Sequence, residues 1–518
     1  MTYKNLLNNK NFVIFIIPFF LGLLSVLSFQ PFNFTLINFI ILPSLFLLIT
    51  YVQKRSRNIY RKKPYLGNLF LIGYFFGIGF FLSGTHWISY SLTFDESLEF
   101  LIPISLFLIP LFLGLFYGLG SLLCGPFLRN SYSSFFLFCL TFSLIDYLRG
   151  NILSGFPWNL WSYSWSWFVE VIQILNPIGL YAFNSLSIAL FCFPAILFFK
   201  TKYKYLVSFL FPLIIFSLYI YGSYKINNNQ TLLEKNKETV YVKAISPNFE
   251  MRYIKSDDEI KNAIQKVIRY SDPEIKKETI FVWPEGIFAG VYFEDLKKFK
   301  NLFNKNFSEN HLIILGINTE DNQKGDFYNS ILVLNNKLEV LYKYDKKKLV
   351  PFGEFLPLNN FFERFGLKKV TQGYGSFSSG GNQNNLELNT LSVLPLICYE
   401  IIFPELIQSS NNKSNLIINI SEDAWFGNSI GPHQHFAKAI FRSIENNTFV
   451  VRSANKGISA FINNNGKVIK SLKPNEKGSI ELNVPLINNK FKNNNDLIFF
   501  ILLFTYMIIF LTLKNKLQ

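Results

Sequence analysis

"LSVLPLICYEIIFPE", Leu391–Glu405, is the stretch on which the fold turns. Its first seven residues are mostly apolar and do not alternate, the pattern of a strand buried on both faces. Where the run stops stands Cys398, with Glu400 two residues on. The three other cysteines, Cys124, Cys139 and Cys192, lie in long apolar runs, so Cys398 alone sits in the polar half of the chain. A cysteine ending such a strand is either a small core hydrophobe or a nucleophile, and its neighbours must decide. Four cysteines without regular spacing provide neither a disulfide framework nor a zinc pattern.

Around this stretch the sequence reads as further strands: "TVYVKAIS" (239–246), "TIFVW" (279–283), "HLIILG" (311–316), "SILVL" (330–334), "LEVLYK" (338–343), "NLIINI" (415–420), "TFVVR" (448–452) and "ISAFIN" (458–463). Between the first two, Ile260, Ile264, Val267 and Ile268 recur at helical spacing. "NNK" at 335–337 and "NNNGK" at 463–467 read as hairpin turns. Strands alternating with helices predict an α/β domain over 223–496.

The remainder is of another kind. The 518 residues are half hydrophobic, with 59 Phe, yet carry a net charge of +16. Those properties conflict in one soluble globule and fit a membrane protein with a polar domain attached. Runs long enough to cross a bilayer, about 20 residues, fall at 11–28, 33–52, 66–84, 100–122, 133–148, 176–199, 205–222 and 497–513. This predicts eight transmembrane helices: seven within 1–222 and the eighth, with a short tail, within 497–518. "QKRSRNIYRKK", with Lys54, Arg55, Arg57, Arg61, Lys62 and Lys63, and "FFKTKYKY", with Lys200, Lys202 and Lys204, are basic; "SLTFDESLEF", with Asp95, Glu96 and Glu99, is acidic. Basic loops stay in the cytoplasm, so the α/β domain is expected outside. No motif interleaves aromatic and basic residues, so nucleic acid is not an expected partner.

Three polar residues of the α/β domain fall at or just beyond strand ends, where such folds build sites. They are Glu285 in "FVWPEGIF", Lys346 in "YDKKKLVPFGEF" and Cys398. Singly, each has a bland reading: a loop acid, one of three consecutive lysines, a core cysteine. In this order and company they resemble the Glu-Lys-Cys triad of the nitrilase, or carbon-nitrogen hydrolase, superfamily. "GFPWNLWSYSW" (155–165), "LVPFGEFLPL" (349–358) and "DAWFGNSIGPHQHF" (423–436), with the helical frame, narrow the likeness to its membrane-embedded branch, the apolipoprotein N-acyltransferases.

The resemblance implies an αββα sandwich for the outer domain and catalytic roles for Glu285, Lys346 and Cys398. Glu354 would help position Lys346 and Glu285, while Tyr399 and Glu400 would position substrate. Trp158, Trp425 and His435 are placed toward substrate, His435 at most supporting the site. The implied partners are a phospholipid acyl donor, diacylglyceryl-cysteine apolipoproteins and membrane lipids. The enzyme would be a monomer of the bacterial inner membrane, with no cofactor or metal and its catalytic domain periplasmic. Residues 352–381, with Phe361, Phe362, Phe365 and Phe377, read as an apolar lid over the thioester.

Four positions depart from the family's pattern: Glu422 where Asn is usual, His433 where Trp is common, Gly286 for Thr, and no Trp in "FEMRYIKS". The residues alone leave alternatives open. A membrane-anchored amidase would use the same triad with water as acceptor. A Cys–His dyad would place His433 or His435 at Cys398. The two histidines make a poor metal pair, because i and i+2 on a helix point roughly 200° apart. Asp146 and Arg149, closing the fifth run, read as a structural pair.

Overall fold

In a computed structural model of the chain, Leu391–Ile397 is a strand, and the apolar runs around it are its neighbours in two sheets. The structure describes residues 9–59, 64–235, 238–254, 256–321, 323, 325–357, 376–381, 385–388, 391–408, 414–487 and 495–515. Arg61, Lys62, Lys63, Phe361, Phe362 and Phe365 lie outside the described residues. The chain forms two compact units, one of Met1–Ser89, Phe100–Ile226 and Asn493–Gln518, the other of Tyr90–Glu99 and Asn227–Lys492.

The second unit holds the strands. In chain order they are β1 (Thr239–Ser246), β2 (Thr279–Val282), β3 (His311–Asp321), β4 (Asp326–Leu334), β5 (Val340–Asp345), β6 (Leu386–Leu388), β7 (Leu391–Ile397), β8 (Leu416–Glu422), β9 (Phe449–Asn455), β10 (Ser459–Ile462), β11 (Val468–Leu472) and β12 (Gly478–Pro485). One six-stranded sheet runs β12-β1-β2-β3-β4-β5 and the other β11-β10-β9-β8-β7-β6. Each has a parallel centre, β1-β2-β3 and β7-β8-β9, flanked by antiparallel strands. The apolar layer between the sheets includes Val242, Val282 and Ile314 from one and Val393, Ile418 and Val451 from the other. Each such side chain contributes about 1.5–3 kcal/mol by leaving water.

The expected helix runs Asp257–Ser271. The Ser256 side chain accepts from Glu259 N at its start (3.3 Å), and Asp272 ends it in the left-handed region at φ 41°. Three acids in its first turn complement the helix dipole. Its buried Ile260, Ile264 and Val267 pack on Phe281, Trp283 and Leu315 of the first sheet. On the second sheet the helix Gly431–Glu445 packs against β9 and β10. The result is a nitrilase-like α/β domain with helices outside two facing sheets.

The first unit is built from apolar helices. Among the described residues six are long and apolar enough to cross a membrane: Thr35–Arg55, Tyr65–Phe94, Glu96–Phe127, Leu180–Phe198, Lys204–Thr231 and Asp496–Lys514. The other two expected spans are also helical. Phe12–Ser28 falls short in length, and Tyr132–Asn151 is diluted by Asp146, Arg149 and several hydroxyls. Glycines let backbones touch: a Cβ on Gly22 would lie 2.0 Å from the Phe76 carbonyl oxygen, and one on Gly77 would lie 2.7 Å from Gly114 Cα. Close approach at small residues replaces the hydrophobic drive that lipid cannot provide. The Asp146–Arg149 pair is present at 3.0 Å, fully buried, with Asn184 Nδ2 donating to Asp146 at 2.9 Å.

Candidate active site

Strand β7 delivers Cys398 to a tight turn. The residue has φ +48°, in the left-handed region, and opens the 3-10 turn Cys398–Ile402. Two residues on, the buried Glu400 closes that turn, its Oε2 accepting from Ile397 N at 2.8 Å. Its Oε1 accepts from Tyr344 OH (3.0 Å), Lys347 N (2.7 Å) and Lys348 N (3.2 Å). One carboxylate thus ties the turn of the cysteine to the loop of the lysine. Glu400 has no face left for substrate, so its expected substrate contact gives way to a positioning role.

Lys346 follows β5, and its side chain is 1% exposed. Its ammonium donates to Glu354 Oε1 at 2.9 Å and lies 3.7 Å from Glu285 Oε1. Glu354 Oε2 accepts from Val350 N at 2.9 Å, fixing the loop that follows. Asn329, on β4, donates to Glu285 Oε1 (2.7 Å) and to Glu354 Oε1 (2.8 Å). Glu285 itself comes just after β2, and its Oε2 accepts from Glu422 N at 3.0 Å. The two carboxylates share one cation, Lys346.

The electrostatics follow from burial and these neighbours. Burial raises the Glu285 pKa, the Glu354 charge raises it further, and Lys346 and Asn329 oppose. The carboxyl is thereby moved toward neutral pH. Burial works to lower the Lys346 pKa, but Glu354, Glu285 and the cysteine outweigh it, and the net shift is upward. Burial and the Glu285 charge push the Cys398 thiol up, against the pull of Lys346. The resting sulfur is therefore a thiol, electrostatically coupled to both partners.

His435 sits behind the turn. Its Nδ1 is 3.1 Å from Asp423 Oδ1 and its Nε2 is 3.2 Å from the carbonyl oxygen of Cys398. Both ring nitrogens are engaged away from the sulfur, which removes the Cys–His dyad for this residue. It also corrects the placement of His435 toward substrate, since the side chain is wholly buried. Trp158 is likewise interior to the helical unit, 1% exposed, its ring 4.6 Å from that of Trp87. Of the four tryptophans in and just after "GFPWNLWSYSW", Trp158, Trp161, Trp165 and Trp167, only Trp167 is exposed, at 47%. Trp425 is half-buried and meets Phe94 edge-on at 5.1 Å, while Tyr399 is buried against Phe403.

Sequence reading missed Asn329, Asp423 and Arg452. Asn329 left a signal, a polar residue interrupting "FYNSILVL"; Asp423 opens the motif "DAWFGNSIGPHQHF" but was given no role, and Arg452 left no signal. Two of the departures prove to be one steric feature. Gly286 has φ +80°, and a Cβ there would lie 2.2 Å from Glu422 Oε2. The Glu422 carboxyl occupies the space of a side chain at 286, bonded by Ala424 N (3.0 Å) and Asn455 Nδ2 (2.8 Å). Burial raises its pKa well above the ordinary value, and the neighbouring Glu285 charge adds to the shift.

Comparison with known proteins agrees with this division. Residues 262–487 match the Carbon-nitrogen hydrolase family, and residues 21–193 match the Apolipoprotein N-acyltransferase N-terminal domain. An Apolipoprotein N-acyltransferase of Rickettsia typhi is 32% identical over 95% of this chain and 98% of its own length. One from Rhodopseudomonas palustris is 29% identical over 91% of this chain and 89% of its own. A Saccharomyces cerevisiae member of branch 10 of the nitrilase superfamily aligns in structure over 48% of this chain and 91% of its own, with 17% identity and a TM-score of 0.34. The chain belongs to the apolipoprotein N-acyltransferase family, its second unit carrying the carbon-nitrogen hydrolase part.

Proposed function

We propose that this chain moves an acyl group from a membrane phospholipid to the N-terminal α-amine of a diacylglyceryl-cysteine apolipoprotein, through a thioester on Cys398. The observation that carries the reading is the Glu285–Lys346 pair, 3.7 Å apart, whose charges bear on the Cys398 thiol in opposite senses. In the first half-reaction Glu285 accepts the S–H proton as sulfur attacks the ester carbonyl, and Lys346 offsets the oxyanion. The tetrahedral intermediate collapses, the ester C–O bond breaks, and Glu285 returns the proton to the departing lysophospholipid. In the second, the amine attacks the thioester and Glu285 takes its proton. The C–S bond then breaks and Glu285 reprotonates the sulfur. An ester and an amine become an amide and an alcohol, by ping-pong kinetics.

Both substrates keep their acyl chains in the bilayer, which gives an eight-helix frame its purpose. Water must be excluded, or the thioester hydrolyses and the enzyme acts as a phospholipase. The enzyme is a monomer of the bacterial inner membrane with its catalytic unit periplasmic, consistent with the basic loops on the other side.

The test is mass spectrometry of the purified protein after exposure to a phospholipid of known acyl chain. The peptide bearing Cys398 should gain that acyl mass and lose it when a diacylglyceryl peptide is added. Full transfer by a Cys398→Ala variant overturns the reading. Hydrolysis of small amides faster than amine acylation would instead favour the membrane-anchored amidase.

A further inference from the structure

Behind the Cys398 turn lies a second buried cluster that takes no part in those steps. Asn419 and Ser421 come from β8, Asp423 from the turn after it, His435 from the helix Gly431–Glu445 and Arg452 from β9, and all five side chains are buried. Arg452 Nη2 donates to Asp423 Oδ2 (2.8 Å) and Oδ1 (3.0 Å), Nε to the Ile458 carbonyl (3.2 Å), and Nη1 to Asn419 Oδ1. Ser421 Oγ donates to Asp423 Oδ1 at 2.6 Å.

The histidine tautomer follows from its neighbours. His435 Nδ1 lies 3.1 Å from Arg452 Nη2, and a guanidinium can only donate. Its Nε2 faces the Cys398 carbonyl oxygen, which can only accept. The proton therefore sits on Nε2, and Nδ1, which lies 3.1 Å from Asp423 Oδ1 as well, faces the Asp423–Arg452 ion pair. Burial and Arg452 lower the His435 pKa to about 4, which keeps the ring neutral at physiological pH. The group held this way is unusual. A left-handed conformation at a residue other than glycine is strained and lasts only where its surroundings over-determine it.

We propose that Arg452, Asp423 and His435 form a positioning unit that locks the Cys398 peptide in its left-handed conformation and so aims the sulfur at Glu285 and Lys346. The proposal rests on Cys398 as the nucleophile. His435 acts through the main chain, at the Cys398 carbonyl, and Ser421 braces Asp423.

The test is the rate of Cys398 alkylation by iodoacetamide across a pH series, in the full-length protein in detergent, with acyl transfer and unfolding temperature alongside. His435→Ala should slow alkylation at every pH of the series by about 10- to 100-fold, the loss expected when a buried acceptor goes unpaired. It should lower kcat for acyl transfer with little change in KM. His435→Gln, whose amide N–H reaches toward the same carbonyl, should recover most of the rate. A folded His435→Ala protein that alkylates like the parent overturns the positioning unit and leaves Cys398 as the nucleophile. Failure of Cys398 to alkylate in the parent protein overturns the site reading itself. Should His435→Ala not fold, His435→Gln is compared with His435→Asn, whose shorter amide turns toward Arg452; equal rates would overturn the proposal.

Discussion

A buried thiol beside a carboxylate is a poor source of thiolate at rest. Burial and the Glu285 charge raise the Cys398 pKa against the pull of Lys346, so in the proposed mechanism deprotonation accompanies attack. The sign of each partner's effect is then fixed. Replacing Glu285 by Gln removes a negative charge, stabilises the thiolate and lowers the thiol pKa, so alkylation of Cys398 at neutral pH should quicken. Acyl transfer should still fall by at least about 100-fold, the usual worth of a general base. Lys346→Met should slow both. If Glu285→Gln slows alkylation and transfer together, Glu285 ionises the thiol beforehand and the coupled step is wrong. Why the sequence exposed some of these groups and hid others is also a matter of the single residue. Glu285, Lys346, Cys398 and Glu354 sit in short motifs that name themselves by their neighbours. Asp423 and Arg452 meet across 29 positions, on different elements, and no local pattern records that pairing. Glu400 could be seen but not read, because burial on every side turned a presumed substrate contact into the clasp of two loops.

At the scale of elements, the clearest strands were those covered on both sides. "LSVLPLI" is β7 residue for residue, and eight other runs matched strands to within a few positions. Strands β6, β11 and β12 escaped. Each lies at or near a sheet edge, short or with side chains partly in water, so no continuous apolar run marks it. The helical unit was legible as apolar length but not as architecture. Its buried clasp is Arg149, which pairs with Asp146 at 3.0 Å, donates to the Phe156 carbonyl at 2.5 Å and lies 5.2 Å from the Phe81 ring. That clasp fixes the Gly155–Trp165 loop, in which Trp161 Nε1 also donates to Tyr117 OH at 3.0 Å. Arg149→Met would strand Asp146 as a lone buried charge and should cost about 3–5 kcal/mol. The double variant Asp146→Leu/Arg149→Met removes both charges and should be less damaging than Arg149→Met alone. Thermal unfolding in detergent measures this, and additive losses would show that the two residues do not act as a pair.

At the scale of the whole chain, the number of crossings is constrained by which segments share a unit. Tyr90–Glu99 belongs with Asn227–Lys492, and the contact is intimate: Phe94 meets Trp425 at 5.1 Å, and a Cβ on Gly427 would lie 2.6 Å from the Tyr90 ring. Segments packed that closely lie on one side of a membrane, so an even number of spans must separate them. Glu96–Phe127, Leu180–Phe198 and Lys204–Thr231 make three. Counting Tyr132–Asn151 makes four, and its 20 residues rise about 30 Å, the thickness of the hydrocarbon core. Its composition is no obstacle, because its ionisable residues are those a membrane tolerates, paired and facing inward: Asp146 to Arg149 and Asn184, with Ser143 donating to Ser185 at 2.8 Å. Counting this helix as a span also puts both basic loops on one side, as the distribution of Lys and Arg demands. The four native cysteines are buried, so single introduced cysteines can report the topology against a low background. With a membrane-impermeant maleimide, Glu96→Cys and Lys477→Cys should label from the periplasmic side, and Lys202→Cys only once the inner membrane is broken. If Tyr132–Asn151 does not cross, Glu96→Cys and Lys202→Cys will label together and Lys477→Cys will not, and the eight-span frame fails with it.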